Sequence, residues 1–224
     1  VSLRIDNPLY TEGDKAGLNG LLTQMMGKGT QKISKDAFEA EIDFMGAHFN
    51  FNSDGAHASS LTRYFPRVFE LLAAATLHPN FDENELSKEK EKSIEALKSS
   101  EKDVKTAARR VENLLSYGAK HPRGEYVTES SISKAGMDDI QRQYQKMFHA
   151  QNAYLIVVGD IDFSEAKKMT KKYFGKWKKG NIVPSQFPVP ENVDQTEIAF
   201  VEMPNAVQSE ISAIYIFDLN KKNP

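Results

Sequence analysis

The strongest pattern near the start of the sequence is a helical repeat of apolar residues between Gly17 and Thr30. The apolar positions recur every three to four residues, which is typical of one buried face of an amphipathic helix. Gly27 and Gly29 follow this repeat and predict the end of the helix, because glycine adopts the left-handed conformation found at helix C-termini. The apolar members of the repeat are Leu18, Leu21, Leu22, Met25 and Met26.

Further strands are predicted where apolar and polar residues alternate with period two. The segment 152–160 is apolar and β-branched almost throughout, which indicates a central strand. The predicted strands are 1–10, 47–53 and 58–64 as a hairpin that turns at Asp54-Gly55, 152–160, 196–203 and 207–219.

Helical spacing returns between these strands, and a proline-rich linker is predicted over 180–193. Ser34 is the expected N-cap of the second helix, and Gly46 its expected end. The sum predicts an α+β fold with strands paired as hairpins and long helices between them. The further predicted helices are 35–45, 65–77, 83–112 as a long solvated pair that continues to 117, 137–148 and 164–174.

The composition is that of an ordinary soluble globular protein, with 224 residues, 40% of them hydrophobic and 27% charged. The net charge of −2 gives no overall electrostatic footprint for nucleic acid or an anionic membrane. No apolar run approaches the roughly 20 residues that a membrane-spanning helix needs. The absence of cysteine excludes disulfides, thiolate metal sites and a cysteine nucleophile, and it fits a bacterial secreted or periplasmic protein.

The run from 16 to 31 resembles the signature helix of the M16 metallopeptidases, the insulinase, pitrilysin and mitochondrial processing peptidase family. That helix carries an inverted zinc motif, His-x-x-Glu-His, in which two imidazoles one turn apart hold the metal. At the three motif positions this sequence has Gly20, Thr23 and Gln24. The surrounding frame is kept as Gly17, Leu18, Met25, Lys28, Gly29 and Thr30.

The third zinc ligand of the family is a glutamate on the long helix after a Phe-Asp start. Counted from Phe81, its position falls at Ala96. The neighbouring Glu95 would point about 100° away around a helix and is a poor substitute. A supporting acidic residue of the family aligns with Glu89, which is present. All three ligands and the base are therefore replaced.

The resemblance extends over most of the chain. It includes the hairpin at 46–55, His121-Pro122, and the strand 152–160 with its Val-Val-Gly-Asp end. It implies an M16-like domain in which a mainly antiparallel sheet packs against long helices. Residues 1–190 are expected to form this first domain, with an N-terminal strand missing, and 191–224 to begin a second, related domain that is truncated. The chain is therefore expected to be a piece of a longer protein.

A hydrogen, a hydroxyl and a carboxamide cannot hold zinc usefully or deprotonate its water. The resemblance therefore implies a non-catalytic half that binds no metal or cofactor, with zinc only in its partner. The expected partners are an active M16 subunit or fused half and a peptide substrate, but no nucleic acid. The expected location is the bacterial periplasm or cell envelope. The Arg and Tyr pair by which such halves grip substrate belongs to the second domain, beyond these residues.

Substrate binding is expected on the strand 47–53, since the corresponding edge strand of active relatives pairs with extended peptides. Backbone pairing needs only N–H and C=O groups and does not depend on the metal. The alternative is a covered or internal strand. The residues of the expected substrate site are Phe49, Asn50, Phe51 and Asn52.

Two other functions stay open. The chain could be a zinc endopeptidase with a displaced site, or a scaffold like the respiratory-complex core subunits that share this fold. His48 and His57 flank the hairpin and could reach one metal, but two ligands without a carboxylate bind weakly. We expect them to be surface histidines.

Overall fold

The computed structural model describes residues 1–180, 184–204 and 206–217. Short 3₁₀ turns occupy Gly13–Lys15, Thr62–Tyr64 and Ala150–Asn152. The strands are β1 (Ser2–Ile5), β2 (His48–Asn52), β3 (Gly55–Ser59) and β4 (Ala153–Ile156). The helices are α1 (Leu18–Met25), α2 (Lys35–Met45), α3 (Phe65–Leu77), α4 (Glu83–Ser100), α5 (Val104–Tyr117), α6 (Glu129–Lys134), α7 (Met137–Met147) and α8 (Phe163–Phe174). The α+β prediction is confirmed.

The chain divides into two compact units that interleave along the sequence. The first contains the described residues of 1–8, 18–91 and 135–183, and the second those of 9–17, 92–134 and 184–224. Because each unit draws on several segments, the boundary near 190 stays a prediction.

The first unit is built on an antiparallel sheet with strand order β2-β3-β1-β4. The sheet is covered on one face only, as its alternating burial shows. Leu3, Ala56 and Ala58 are buried on the inner face, where α3 packs against β3 and α8 against α3. The opposite face carries the half-buried Ser2 and the exposed residues Arg4, His48, Asn50, Asn52, His57, Ser59, Tyr154 and Ile156.

Local signals place α2 and the hairpin. The Ser34 side chain accepts a hydrogen bond from the Ala37 N–H, and Gly46 ends α2 in the left-handed conformation at φ +57°. Gly55 opens β3 at φ +139°, where a Cβ would come within 1.9 Å of the Leu3 carbonyl oxygen. Only glycine lets β1 approach the hairpin this closely.

The second unit contains α5, α6 and the segment 184–217. The Glu125 carboxylate accepts hydrogen bonds from the backbone N–H groups of Glu12 (2.9 Å) and Gly13 (2.8 Å). The apolar residues of α5, among them Val111 and Leu115, line a cavity of about 480 Å³ together with residues between 191 and 216.

Several predictions about strands were wrong. The strand at 152–160 is only β4, and it lies at one end of the described sheet instead of its centre, with Tyr154 60% exposed. The first strand ends at Ile5 and the return strand begins at Gly55. The helix α6 was not predicted.

The segments 196–203 and 207–219 are also not strands over the residues that the structure describes; residues 218 and 219 lie outside them. Their apolar residues are exposed, for example Ile198 at 91% and Ile211 at 92%. A strand exists only where a neighbour pairs its backbone groups, and the described part of the chain supplies none here.

Candidate functional site

The helix α1 presents two different faces. Its apolar residues, including Leu21 and Leu22, are fully buried. On the other side, Gly20 and Gln24 are exposed and Thr23 is half-buried. These three residues lie one turn apart on a single stripe, which is the spacing that two side chains need to reach one metal ion. A Cβ built at Gly20 meets nothing within 4 Å, so this position has room for a larger side chain.

The residues on this stripe do not fit a zinc ion. Zinc in proteins is held by imidazole, thiolate and carboxylate groups, and Gly20, Thr23 and Gln24 offer none of these. On α4, the Ala96 position carries an exposed methyl group, two helical turns after the buried Glu89. Among the described residues, no group of three or more His, Cys, Asp or Glu side chains is placed to hold a metal.

The frame around the stripe has a structural role. The Lys28 ammonium lies 3.0 Å from the Glu89 carboxylate, and both groups are largely buried. Gly29 turns the chain at φ +90°. Thr30 is buried, bridges to Pro79, and its hydroxyl accepts the backbone N–H groups of residues 32 and 33 at 3.1 and 3.0 Å. The Lys-Gly-Thr frame therefore holds the end of α1 in place without any metal.

Gly27 brings α1 and β2 together. Its φ is +77°, and a Cβ there would come within 2.6 Å of the Phe51 ring. Both the backbone conformation and the close approach of this ring require glycine. The C-terminal end of α1 thus lies beside the strand that was predicted to bind substrate.

The strand β2 is at an end of the described sheet, as expected for a strand that binds substrate. The direction of its free backbone groups follows from the sheet register. Ala58 exchanges both backbone hydrogen bonds with Val1, each 2.8 Å long, so Ala58 turns away from β2. In an antiparallel pair the direction alternates, so His57 instead bonds its partner Asn50. The N–H and C=O groups of Phe49 and Phe51 therefore point to the outer side of β2.

The two sides of this strand differ in chemistry. On the inner side a cavity of about 380 Å³ is lined by the Phe49 and Phe51 side chains. The Phe38 ring packs edge-on against Phe49 with ring centres 5.7 Å apart. On the other side the exposed residues are polar. Besides Phe49 and Phe51, the residues that line the 380 Å³ cavity are Phe38, Gln24, Met26, Gly27, Lys28, Glu39, Ile42, Ala47 and His48.

The structure brings some of the predicted residues together, while Asn50 and Asn52 lie on the opposite face of the sheet. Gln24 lines the same cavity as Phe49 and Phe51, whereas Ala96 belongs to the second compact unit. His48 and His57 are exposed, as expected, and the His57 Nδ1 is 2.7 Å from the Ser2 hydroxyl. The helix α2 also contributes Phe38 and Ile42 to this cavity; their apolar spacing was visible in the sequence, but their position beside β2 was not predicted.

Two models of the M16 peptidase family match this sequence. The family model described as insulinase (peptidase family M16) matches residues 8–125, and the model described as peptidase M16 inactive domain matches 134–218.

Three curated relatives are similar in sequence. The non-peptidase homolog YmxG of Helicobacter pylori is 23% identical over 164 residues, which cover 70% of this chain and 38% of the relative. The uncharacterized zinc protease YmxG of Bacillus subtilis is 29% identical over 168 residues, covering 72% and 40%. Subunit 1 of the bovine mitochondrial cytochrome b-c1 complex is 20% identical over 180 residues, covering 78% and 38%. The chain thus spans about two fifths of the length of these relatives.

Solved structures share the fold. A peptidase M16 inactive domain from Pseudomonas fluorescens has a TM-score of 0.72 at 19% identity, covering 85% of this chain and 48% of that one. The first half of the periplasmic protease PqqL from Escherichia coli has a TM-score of 0.67 at 20% identity, covering 85% and 44%. The M16-like fold expected from the sequence is therefore confirmed. The chain belongs to the insulinase (M16) peptidase family, whose model matches residues 8–125.

Proposed function

We propose that this chain is a non-catalytic M16 half, which pairs with a zinc-bearing M16 subunit or fused half and binds extended peptides for proteolysis. One observation carries the proposal. The helix α1 carries Gly20, Thr23 and Gln24 where the resemblance puts the zinc motif, and its Gln24 lines a cavity with Phe49 and Phe51 of an edge strand whose outer backbone groups are directed away from the sheet.

The first part of the proposal is the loss of catalysis. A hydrolytic zinc site needs three protein ligands, an open position for water and a base beside it. Gly20, Thr23, Gln24 and Ala96 supply neither the ligands nor the base. Zinc is accordingly assigned to the partner alone.

The second part is peptide binding at β2. An extended peptide adds a strand to a sheet edge through main-chain hydrogen bonds, and pockets for alternate side chains provide selectivity. Phe49 and Phe51 offer two N–H and two C=O groups for this pairing. Every second peptide side chain would then lie on the same face as the aromatic cavity.

The third part is the partner and the location. The solved structures of similar fold are about twice as long as the stretch they share with this chain. One of these structures is itself only the first half of the periplasmic protease PqqL, so a half built from two related domains accounts for the difference, and pairing with a second half completes the proposed chamber. The name of the periplasmic protease PqqL and the lack of cysteine support an envelope location.

A scaffold function is the second candidate, because one relative is a subunit of the bovine cytochrome b-c1 complex. The displaced-site endopeptidase has less support, since the described residues bring no metal-binding group together.

Amide hydrogen exchange tests peptide binding at β2. In the free protein, the amides of Phe49 and Phe51 should exchange at least about tenfold faster than those of Asn50 and Asn52, which bond to β3. Reduced, carboxymethylated α-lactalbumin serves as an unfolded polypeptide probe. On its addition, exchange at Phe49 and Phe51 should slow, and exchange at Asn50 should stay unchanged. Equal exchange along β2, or no protection by the probe, contradicts the assignment.

Metal analysis tests the loss of catalysis. After treatment with a chelator and reloading with zinc, the purified chain should retain no stoichiometric zinc and cleave no peptide. The variant Gly20→His, Thr23→Glu and Gln24→His, which restores two imidazoles one turn apart on α1, should gain measurable zinc binding. A wild-type chain with bound zinc and chelator-sensitive cleavage would establish the displaced-site alternative.

A further inference from the structure

The region around α8 carries an unusual concentration of positive charge. Seven of the chain's 29 lysines and arginines are lysines between positions 167 and 179, and all seven are exposed. The stretch 163–180 contains a single acidic residue, Glu165. We call these lysines the α8 lysine patch; they are Lys167, Lys168, Lys171, Lys172, Lys176, Lys178 and Lys179.

The helix orients this charge outward. At 100° per residue, the four helical lysines from Lys167 to Lys172 span an arc of about 140°. The opposite side of α8 packs into the core, where the rings of Tyr173 and Phe174 each lie 5.9 Å from the Phe69 ring. The basic face therefore belongs to a helix whose apolar face is already used.

The segment after α8 is also held in place. The backbone N–H of Ala150 donates to the Lys178 carbonyl at 3.0 Å, and the Trp177 ring lies 6.1 Å from Phe174. The lysines at 176, 178 and 179 thus extend the same basic surface from a fixed backbone.

Little of this charge is offset within the described residues, where the Glu70 carboxylate interacts electrostatically with Lys172 without forming an ion pair. In the part of the chain that the structure describes, no carboxylate forms an ion pair with any of the seven lysines. Lys172 instead donates to the Tyr173 hydroxyl at 3.0 Å. Clustered like charges repel one another, and an external anionic surface would relieve this repulsion.

We propose that the α8 lysine patch docks the protein on a membrane surface containing anionic phospholipids. Lysines are compact point charges that suit a diffuse array of lipid phosphates, and each contributes to attraction near such a surface. A convex helix with a fixed basic extension can meet a flat surface with several lysines at once. This inference is independent of the proposed function.

Nucleic acid fits the patch less well. The segment 163–180 contains no arginine for bidentate phosphate contacts. Its Tyr173 and Phe174 rings pack against Phe69, so they are not free to stack on bases.

Vesicle co-sedimentation tests the proposal. The protein should bind vesicles of phosphatidylcholine with about 30 mol% phosphatidylglycerol and not phosphatidylcholine alone, and about 0.5 M NaCl should release it. A patch variant that removes four of the charges should bind about tenfold more weakly or worse. That variant is Lys167→Gln, Lys168→Gln, Lys171→Gln and Lys176→Gln.

A matched control removes the same number of charges from exposed lysines elsewhere and should bind like the wild type. Arginine at the four patch positions should preserve binding, and circular dichroism should show that each variant is folded. The proposal is overturned by no binding to the anionic vesicles, by equal losses in the patch and control variants, or by tighter binding to DNA than to vesicles. The control is Lys32→Gln, Lys102→Gln, Lys105→Gln and Lys120→Gln.

Discussion

At the scale of single residues, the α1 region separates groups that build the fold from groups that could perform chemistry. Lys28, Gly29 and Thr30 have an ion pair, a tight turn and a buried hydroxyl to maintain. Gly20 and Gln24 face outward. Residues 20 and 24 can therefore change without disturbing the buried face of the helix, which is consistent with the proposal that an M16 helix persists here without its zinc motif.

Alanine substitutions at Gly20, inside α1, and at Gly27, just after it, should change the free energy of unfolding in opposite directions. Gly20→Ala should stabilise the protein by about 0.5–1 kcal/mol, because Gly20 lies in open space inside a helix. Gly27→Ala should destabilise it by more than about 1 kcal/mol, because a Cβ would meet the Phe51 ring at positive φ. Urea unfolding measures both. A stable Gly27→Ala variant would mean that β2 does not pack against α1 as described.

The Lys28–Glu89 pair should contribute to stability without any metal. Glu89→Gln keeps the shape of the side chain but removes its charge, which leaves a largely buried ammonium poorly paired. We expect a loss of about 1–3 kcal/mol in the free energy of unfolding. The exposed Glu91→Gln on the same helix should change it by less than about 0.5 kcal/mol. Equal effects of the two substitutions would contradict the claim that the Lys28–Glu89 ion pair stabilises the fold.

At the scale of elements, the sequence predicted what local signals determine. The helix α2 carries its own start and stop signals in Ser34 and Gly46, and the Pro66 position marks the start of α3. The prediction that β4 is a central strand was wrong, because an apolar run in the sequence does not determine which strands pair with it. The segments 196–203 and 207–219 have strand-like alternation, but alternation alone does not provide a pairing partner.

Ion pairs between helices make stability depend on pH. Lys35 of α2 and Lys88 hold the pKa of Glu85 on α4 at about 2, below its ordinary 4.5. Arg67 of α3 lowers the pKa of Glu41 on α2 in the same way. A carboxyl group with a lowered pKa in the folded state stabilises the fold above its unfolded pKa. This stabilisation should be lost as the pH falls from about 4.5 towards 2.

Urea unfolding at a series of pH values measures this dependence. The Glu85→Gln variant should be less stable than the wild type at neutral pH and should lose less stability on acidification. The exposed Glu101→Gln serves as the control and should follow the wild-type curve. An acid dependence unchanged by Glu85→Gln would show that this ion pair does not connect α2 to α4.

At the scale of the whole molecule, a net charge near zero does not exclude a strongly charged local surface. The net charge of −2 led to the expectation of no footprint for an anionic membrane, yet seven exposed lysines lie together at α8. The spacing of those lysines was visible in the sequence. That they share one outward surface depends on which side of α8 packs against Phe69, and this became clear only from the tertiary structure.

Pairing of the two halves is also tested at this scale. The protein should co-purify with a zinc-bearing M16 subunit when the two are produced together, and peptide cleavage should require both. Chelation should abolish cleavage without separating the subunits, because the metal is assigned to the partner's site and not to the interface. Recovery in a membrane complex without any peptidase would favour the scaffold function.

The outward amides of Phe49 and Phe51 have one more consequence. Two copies of the chain can present the same edge to each other about a two-fold axis and close both sheets at once. Such a dimer would occupy the very groups that a peptide needs. Apparent peptide affinity should therefore weaken as the protein is concentrated and recover on dilution, because self-association competes with the peptide for β2.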